Sequence, residues 1–409
     1  MTNRSQPPLR RISPASLSRR RFLGGLGAAG VGAIFAPSLL AACGGDDDDA
    51  STGASEPGTT AGGSANTTAA SGGGGGGLTI SNWPLYIDDQ TVDEFKNATG
   101  ISLTYTEDYN DNDDFFAKIQ PALDAGQSID QDIVVPTFWL VSRLIGLGWL
   151  DELPLDQIPN AANLVANLKN PPWDPDGKFS LPWQSGMTGI AYNVEVTGRE
   201  LTSVEDLLDP AFNGKIGMLS EMRDTVGLFM LLNGADVSKP TFDAAVSAFD
   251  QIEQAKNDGQ IRDFTGNDYQ SDLLSGNFAA CIGWSGDVAQ LTLENENLRF
   301  IIPESGGMIW SDCMVIPKGA KNVANAAKWM DYVYDPVNAA RITATVQYIP
   351  TVDGVQDELR KRGGDEAALA DNPLLFPDEE TLSILHGFGS LDEDEEAKFD
   401  ERFAEITGA

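Results

Sequence analysis

From Leu78 onward the chain alternates short apolar runs with stretches of helical period. That alternation restricts it to folds in which helices cover a largely parallel sheet. Residues 78–82 read as a strand. Residues 89–98 read as a helix with Val92 and Phe95 on one face and Gly100 as its stop, and residues 101–106 as a second strand. Residues 115–125 are helical, and Ile133-Val134-Val135 is a buried strand braked by Pro136. Further strands are expected at 216–219, 279–284 and 300–303, and further helices at 225–232, 241–255 and 323–333. No repeat of roughly 20–50 residues is visible. An α/β chain of 409 residues is long enough for two lobes with a ligand between them.

The first 77 residues have a different character. Ser18-Arg19-Arg20-Arg21-Phe22-Leu23 has the paired arginines and following apolar pair of a twin-arginine export signal, and an uncharged Gly/Ala-rich stretch runs from it to Ala42. The glycines and Pro37 in that stretch favour a cleaved signal over a permanent membrane helix. Leu40-Ala41-Ala42-Cys43 resembles a bacterial lipobox, which implies a diacylglyceryl group on Cys43 and an anchor in the outer face of the cytoplasmic membrane, at the cell surface or in a periplasm. Residues 43–77 hold an Asp run at 46–49 and then little but Ser, Thr, Gly and Ala. Such a segment cannot repay its ordering entropy and is expected to be a flexible tether. The Asp run lacks the spacing of a calcium loop.

Composition removes several function classes. Six of the 27 basic residues lie within the first 42 positions, which carry no acid, so the remainder sets 21 bases against 61 acids, a formal charge of −40. A field of that sign repels nucleic acid and anionic headgroups and attracts cations. It does not name a cationic ligand, because acidity for solubility produces the same count. Cys43, Cys281 and Cys313 are too few for a disulfide framework. His386 is the sole histidine, so a nucleophilic triad or a His-rich zinc site would have to be built around one residue. The glycine run at 72–77 precedes the first strand and opens no helix, so it is no phosphate cradle. No catalytic residue, metal or cofactor is expected.

Four of the eight tryptophans stand where strands should end: Trp83 in Asn82-Trp83-Pro84-Leu85-Tyr86, Trp139 after Pro136-Thr137-Phe138, Trp284 in Gly283-Trp284-Ser285-Gly286, and Trp310 before Ser311-Asp312. In open α/β sheets the carboxyl ends of the strands face the ligand crevice. Aromatic faces there suit an alkylammonium, at roughly 0.5–2 kcal/mol per contact, or a stacked sugar; for any one Trp, core packing is the plainer account. Acids discriminate amine from sugar, since a buried ammonium needs a carboxylate. Asp312 lies two residues past Trp310, and Glu221 and Asp224 flank Arg223 between a strand and a helix. Acids at a helix start also interact favourably with the helix dipole, and the two explanations stand side by side.

Taken together, Ser81-Asn82-Trp83-Pro84-Leu85-Tyr86-Ile87, Asp132-Ile133-Val134-Val135-Pro136-Thr137, Gly283-Trp284-Ser285-Gly286, Glu304 through Asp312, Ile316-Pro317 and Gln347-Tyr348-Ile349-Pro350-Thr351 resemble the spermidine/putrescine-binding proteins of polyamine ABC transporters. The likeness runs from about Leu78 to the C-terminus. It implies a two-lobed, periplasmic-binding-protein-like type II fold with an interlobe cleft, lobe 1 comprising 78–187 and 313–349 and lobe 2 comprising 188–312 and 350–409. It implies ligand contacts at Trp83, Tyr86, Thr137, Trp139, Glu221, Asp224, Trp284, Trp310, Asp312 and Tyr348.

The resemblance has departures. Trp139 stands where Tyr is usual in the family, Asp and Glu are exchanged at 221 and 224, and the C-terminal glutamine contact has no clear counterpart, Phe388 being nearest by position. The stretch Tyr109 to Asp114 is longer and more acidic than the family's loop and is expected to be solvated surface. Cys281 and Cys313 are expected as free buried thiols near the crossover, and His386 at a surface or loop.

The function so implied is capture of a polyamine by hinge closure and delivery to the permease subunits of an ABC importer, by a lipid-anchored monomer that breaks no bond. A receptor of the same fold for another cationic or sugar ligand is the alternative. A glycoside-cleaving enzyme would need two acids about 5–10 Å apart across a bond.

Overall fold

The computed structural model describes residues 76–408. The export signal, Cys43 and most of the tether lie outside the described residues. Among the described residues no helix is long and apolar enough to cross a membrane.

The chain opens with β1 (Leu78–Asn82), α1 (Asp89–Thr99), β2 (Leu103–Glu107), α2 (Asn112–Asp124), β3 (Ile133–Val134), α3 (Phe138–Gly146) and β4 (Leu150–Asp151). The first helix shows how local chemistry sets its bounds. The Asp88 carboxylate accepts from the Thr91 N–H at 2.8 Å, and Gly100 ends the helix at φ 70°.

Next come β5 (Ser180–Asn193), α4 (Val194–Thr197), β6 (Ile216–Leu219), α5 (Met222–Leu232), α6 (Phe242–Asn257), β7 (Ile261–Thr265), α7 (Tyr269–Ser275), β8 (Ala280–Trp284), α8 (Ser285–Leu291), β9 (Leu298–Ile301) and β10 (Gly307–Pro317). The chain closes with α9 (Val323–Val333), α10 (Pro336–Val346), β11 (Ile349–Pro350), α11 (Val355–Arg362), α12 (Gly364–Leu369), α13 (Glu379–Leu382), β12 (Leu385–His386) and α14 (Glu393–Thr407).

The strands form one path in the order β2-β1-β3-β10-β5-β8-β6-β7. β1 pairs parallel with β2 and β3, and β6 pairs parallel with β7 and β8. These two parallel halves are joined by the long antiparallel pair β5 and β10. β5 is buried at all 14 positions. Its first part is flanked by β10 and β11, its later part by β8 and β9. β5 and β10 were not among the expected strands. A strand covered on both faces loses the alternation that marks a half-exposed one. The β5–β10 ladder shifts register between Asp312 and Cys313, so the bulge falls at an acid expected in the site.

After β11 the chain stays with the first half: Val352 bridges Leu164, and α11 packs on α10. It reaches the second half at β12, which pairs with Gly307 and Met308, and at α14, which packs on α5 and α6.

Three expectations change or sharpen here. The stretch Tyr109 to Asp114 is only in part a solvated surface: Asn110, Asp113 and Asp114 are exposed, but Tyr109 is buried against Trp83 and Phe115, and Asp111 and Asn112 are buried where they bond to Ser220 and Glu221 of the second half. His386 is a half-buried residue of β12 rather than a loop residue. Cys281 and Cys313 are free and fully buried, and burial pushes both thiols well above their ordinary range.

Candidate functional site

All ten expected residues line one cavity of about 600 Å³ between the two parallel halves. That size is in the range of small-molecule sites. It lies where the strands of both halves end, as the position of the tryptophans requires.

The first wall is set by the turn after β1. Leu85 adopts φ 57°, an uncommon backbone state for a large residue, and the turn it makes aims Trp83 and Tyr86 inward on either side of Pro84. The Trp83 indole N–H donates to the Val135 carbonyl at 2.9 Å, which ties the ring to β3 and its continuation. The Tyr86 hydroxyl donates to Asp312 Oδ2 at 2.9 Å. Thr137, at the start of α3, donates to Asp312 Oδ1 at 2.7 Å. Trp139, in the first turn of α3, carries the Arg223 guanidinium 3.7 Å from its ring centroid.

The second wall holds Trp284 at the end of β8 and Trp310 on β10. Trp284 stands edge-on to Trp83 at 5.9 Å and to Trp310 at 6.3 Å, the geometry aromatic quadrupoles prefer. Two glycines permit this packing. A Cβ on Gly186 would lie 2.4 Å from the Trp310 ring, and one on Gly286 would lie 2.2 Å from the Tyr348 ring. Tyr348 follows Gln347, which sits at φ 54°, and packs edge-on against Tyr86 at 4.9 Å.

Four carboxylates face the cavity, Asp287, Asp312 and Glu221 buried and Asp224 half-buried. Asp312 is held by Thr137 and Tyr86, Asp224 by Thr188 Oγ1 and the Trp284 indole N–H at 2.8 Å each, and Asp287 by Tyr348 at 2.7 Å and Tyr269 at 3.0 Å. Burial dominates their titration. It raises Asp312 to about 7 and Asp224 and Asp287 to about 6, against the lowering effect of those same hydrogen bonds. Glu221 differs. Its Oε1 accepts from the backbone N–H and from Nδ2 of Asn112, both at 2.7 Å, and burial, then the Asp113 and Asp111 carboxylates, push it well above the ordinary range.

Asn112, Arg223, Asn267, Asp287 and Met308 also line the cavity and were not expected there. Asp287 was within reach of sequence reasoning, three residues past Trp284, but reads as an ordinary first-turn helix acid. Phe388 lines the cavity as well, where the resemblance would have placed a glutamine.

Chemically the cavity is a set of aromatic faces around four carboxylates, of which Glu221 is already engaged by Asn112, with one cationic side chain among the described lining residues, Arg223, already paired to Glu396 at 2.8 Å. Among the described residues no group of three or more His, Cys, Asp or Glu is arranged to hold a metal ion. The composition of the lining is that of a site for a small apolar cation.

Comparison with known proteins agrees with that architecture. Residues 90–377 match the family described as bacterial extracellular solute-binding protein. The spermidine/putrescine-binding periplasmic protein 1 of Haemophilus influenzae is 27% identical over 305 residues, covering 74% of this chain and 81% of that protein. The putrescine-binding periplasmic protein PotF of Escherichia coli is 28% identical over 291 residues, covering 66% and 76%. Among solved structures, a putative spermidine/putrescine ABC transporter from Listeria monocytogenes superposes with a TM-score of 0.72 at 27% identity, covering 80% of this chain and 98% of the other. The fold is of the two-lobed periplasmic-binding-protein type II class, and its family binds solutes rather than transforming them. With 288 of its 409 residues matched, the chain belongs to the bacterial extracellular solute-binding proteins.

Proposed function

We propose that this protein captures a polyamine, spermidine or putrescine, by closing two lobes around it and delivers it to the permease of an ABC importer. One observation carries the reading: three carboxylates, buried Asp287 and Asp312 and half-buried Asp224, share one aromatic-walled cavity in which Arg223, the only cationic side chain among the described lining residues, is already ion-paired. Buried like charges are costly unless a cation joins them, and an extended di- or triammonium supplies charges separated by methylenes that the tryptophan faces can cover. The names of the related proteins support the same class of solute.

In this reading lobe 1 is 78–187 and 313–349, lobe 2 is 188–312 with the C-terminal segment from β12, and β5 and β10 are the crossing strands about which the lobes turn; α11 and α12, expected in lobe 2 as part of 350–409, instead ride on lobe 1. Trp83, Trp284 and Trp310 pack the methylenes, with Tyr86, Thr137, Trp139 and Tyr348 completing the walls. Asp312 and Asp224 neutralise separated ammonium groups, with Asp287 beside them. Micromolar capture requires about −8 kcal/mol, which charge pairs and cation–π contacts of these kinds reach after desolvation. We further propose export by the twin-arginine signal at Arg19 and Arg20, lipidation at Cys43, a tether through residue 77, and action as a monomer at the outer face of the membrane.

Isothermal titration of the chain with putrescine, spermidine, spermine and a neutral disaccharide tests the reading. Saturable one-to-one binding of an amine and none of the sugar is expected. Sugar binding without amine binding would replace it with a carbohydrate receptor of the same fold.

A further inference from the structure

The stretch Tyr109 to Asp114 leaves β2, enters α2, and carries contacts unlike those of a rim loop. Asn110 offers its carbonyl to the Asn267 N–H at 3.0 Å. Asp111 Oδ2 accepts from the Ser220 hydroxyl at 2.8 Å, while its other oxygen caps α2 by accepting from the Asp114 N–H at 2.7 Å. Asn112 donates twice to Glu221 Oε1. Ser220, Glu221 and Asn267 all belong to the second half of the molecule, so these are bonds across the cleft.

The same asparagine faces inward. Its Nδ2 also donates to Thr137 Oγ1 at 2.9 Å, its Oδ1 accepts from the Thr137 N–H at 3.1 Å, and Thr137 in turn donates to Asp312. One chain of hydrogen bonds, buried at its Glu221–Asn112 end and half-buried at Thr137, therefore runs from Glu221 on the second half through Asn112 and Thr137 to Asp312 in the cavity. Asn112 is 1% exposed and Glu221 4%, so an open cleft would return both to water and break the chain at its Asn112–Glu221 link.

We propose that Glu221 and Asn112 form a latch that holds the closed state, with Glu221 acting as a positioning residue and not as a partner of the ligand's ammonium. Its acceptor oxygen is taken by two donors from the opposite half, and two further carboxylates, Asp111 and Asp113, stand close to it. A third carboxylate charge at that point would be repelled by the other two, whereas a protonated glutamic acid accepts the same two bonds. The polyamine charge then rests on Asp224, Asp287 and Asp312, and occupancy at Asp312 reaches the cleft rim through Thr137 and Asn112. This assignment rests on the proposed closure about a polyamine.

The test uses the full chain with spin-label pairs across the cleft, and stopped-flow release of putrescine and spermidine. Glu221→Ala and Asn112→Ala are expected to speed release at least tenfold and to widen the ligand-free interlobe distance distribution. Glu221→Gln, which keeps the acceptor and removes the charge, is expected to recover most of that loss. Ser220→Ala, which removes a single cross-cleft hydroxyl, guards against misfolding and should speed release two- to fivefold. If Glu221→Gln releases ligand as fast as Glu221→Ala with an unchanged distance distribution, Glu221 is an ammonium partner and the latch is overturned. Should the wild type bind no polyamine, the proposed ligand fails. The latch is then judged by ligand-free distances alone, and identical distributions in wild type, Glu221→Ala and Asn112→Ala overturn it.

Discussion

Asp312 collects more of the site's chemistry than any other residue: two hydrogen bonds from the first half, a strand bulge beneath it, and a carboxyl raised to about 7 by burial. Asp312→Asn is expected to weaken polyamine binding at least tenfold, about 1.4 kcal/mol, with little loss of unliganded stability; titration calorimetry with a melting curve separates the two. The pH dependence follows from the sign of the shift. In the empty protein Asp312 keeps its proton up to about 7, whereas unfolded it loses it near the ordinary carboxylate value of about 4. The folded state therefore binds more protons between those values, and unliganded stability falls as pH rises from about 4 to about 7.

Binding runs the other way. A cation favours the ionised acid, so affinity should fall below about pH 7 as Asp312 protonates, and more steeply below about 6 as Asp224 and Asp287 join it, by about tenfold per pH unit for each proton displaced. Titrations in buffers of different ionisation enthalpy count those protons. An affinity flat from pH 5 to 8 would remove these three acids from the site.

At the scale of elements, the aromatic walls depend on places where backbone must come close to a ring. Gly286 opens α8 beneath Tyr348, and Gly186 lies in β5 beneath Trp310. Gly286→Ala is expected to displace the Tyr348 ring and with it the Asp287 and Tyr86 contacts, at about 1–3 kcal/mol of stability and with weaker ligand binding. Thermal unfolding and titration of the same sample check it, and an unaltered variant would mean that the ring yields freely. Element by element, the bounds of β1, β6 and α9 agree with those expected from local pattern, because each carries its own apolar period and stop signals. β5 and β10 were illegible for the opposite reason. β5 is buried throughout and interrupted by Gly186 and Gly189, and β10 is buried at all but Ile309 and Trp310, so neither shows the alternation of a half-exposed strand.

For the whole molecule, charge is the governing quantity. A formal −40 beyond the first 42 residues surrounds a cavity whose own acids are mostly buried, so the exterior field should draw a polycation toward the cleft. Association measured by tryptophan fluorescence is expected to slow about tenfold between low salt and about 0.5 M, where the screening length shrinks to a few ångströms, while dissociation changes little. Equal salt sensitivity of both rates would place the effect inside the cleft instead.

The sequence by itself determined the α/β alternation, the acidic excess and the strand-end tryptophans with the acids near them, since each of these is written in local pattern, and the family resemblance of its short motifs added the rest of the ten residues that stand round the cavity. Only the tertiary structure decided that Asp287 faces the cavity and that Asp111 and Asn112, within an acidic and partly exposed stretch, are buried at the seam between the halves. It likewise decided that Glu221 spends its acceptor on Asn112, 109 residues away along the chain. Burial and hydrogen-bond partnership are imposed by whatever packs opposite, and no local window of sequence contains that information.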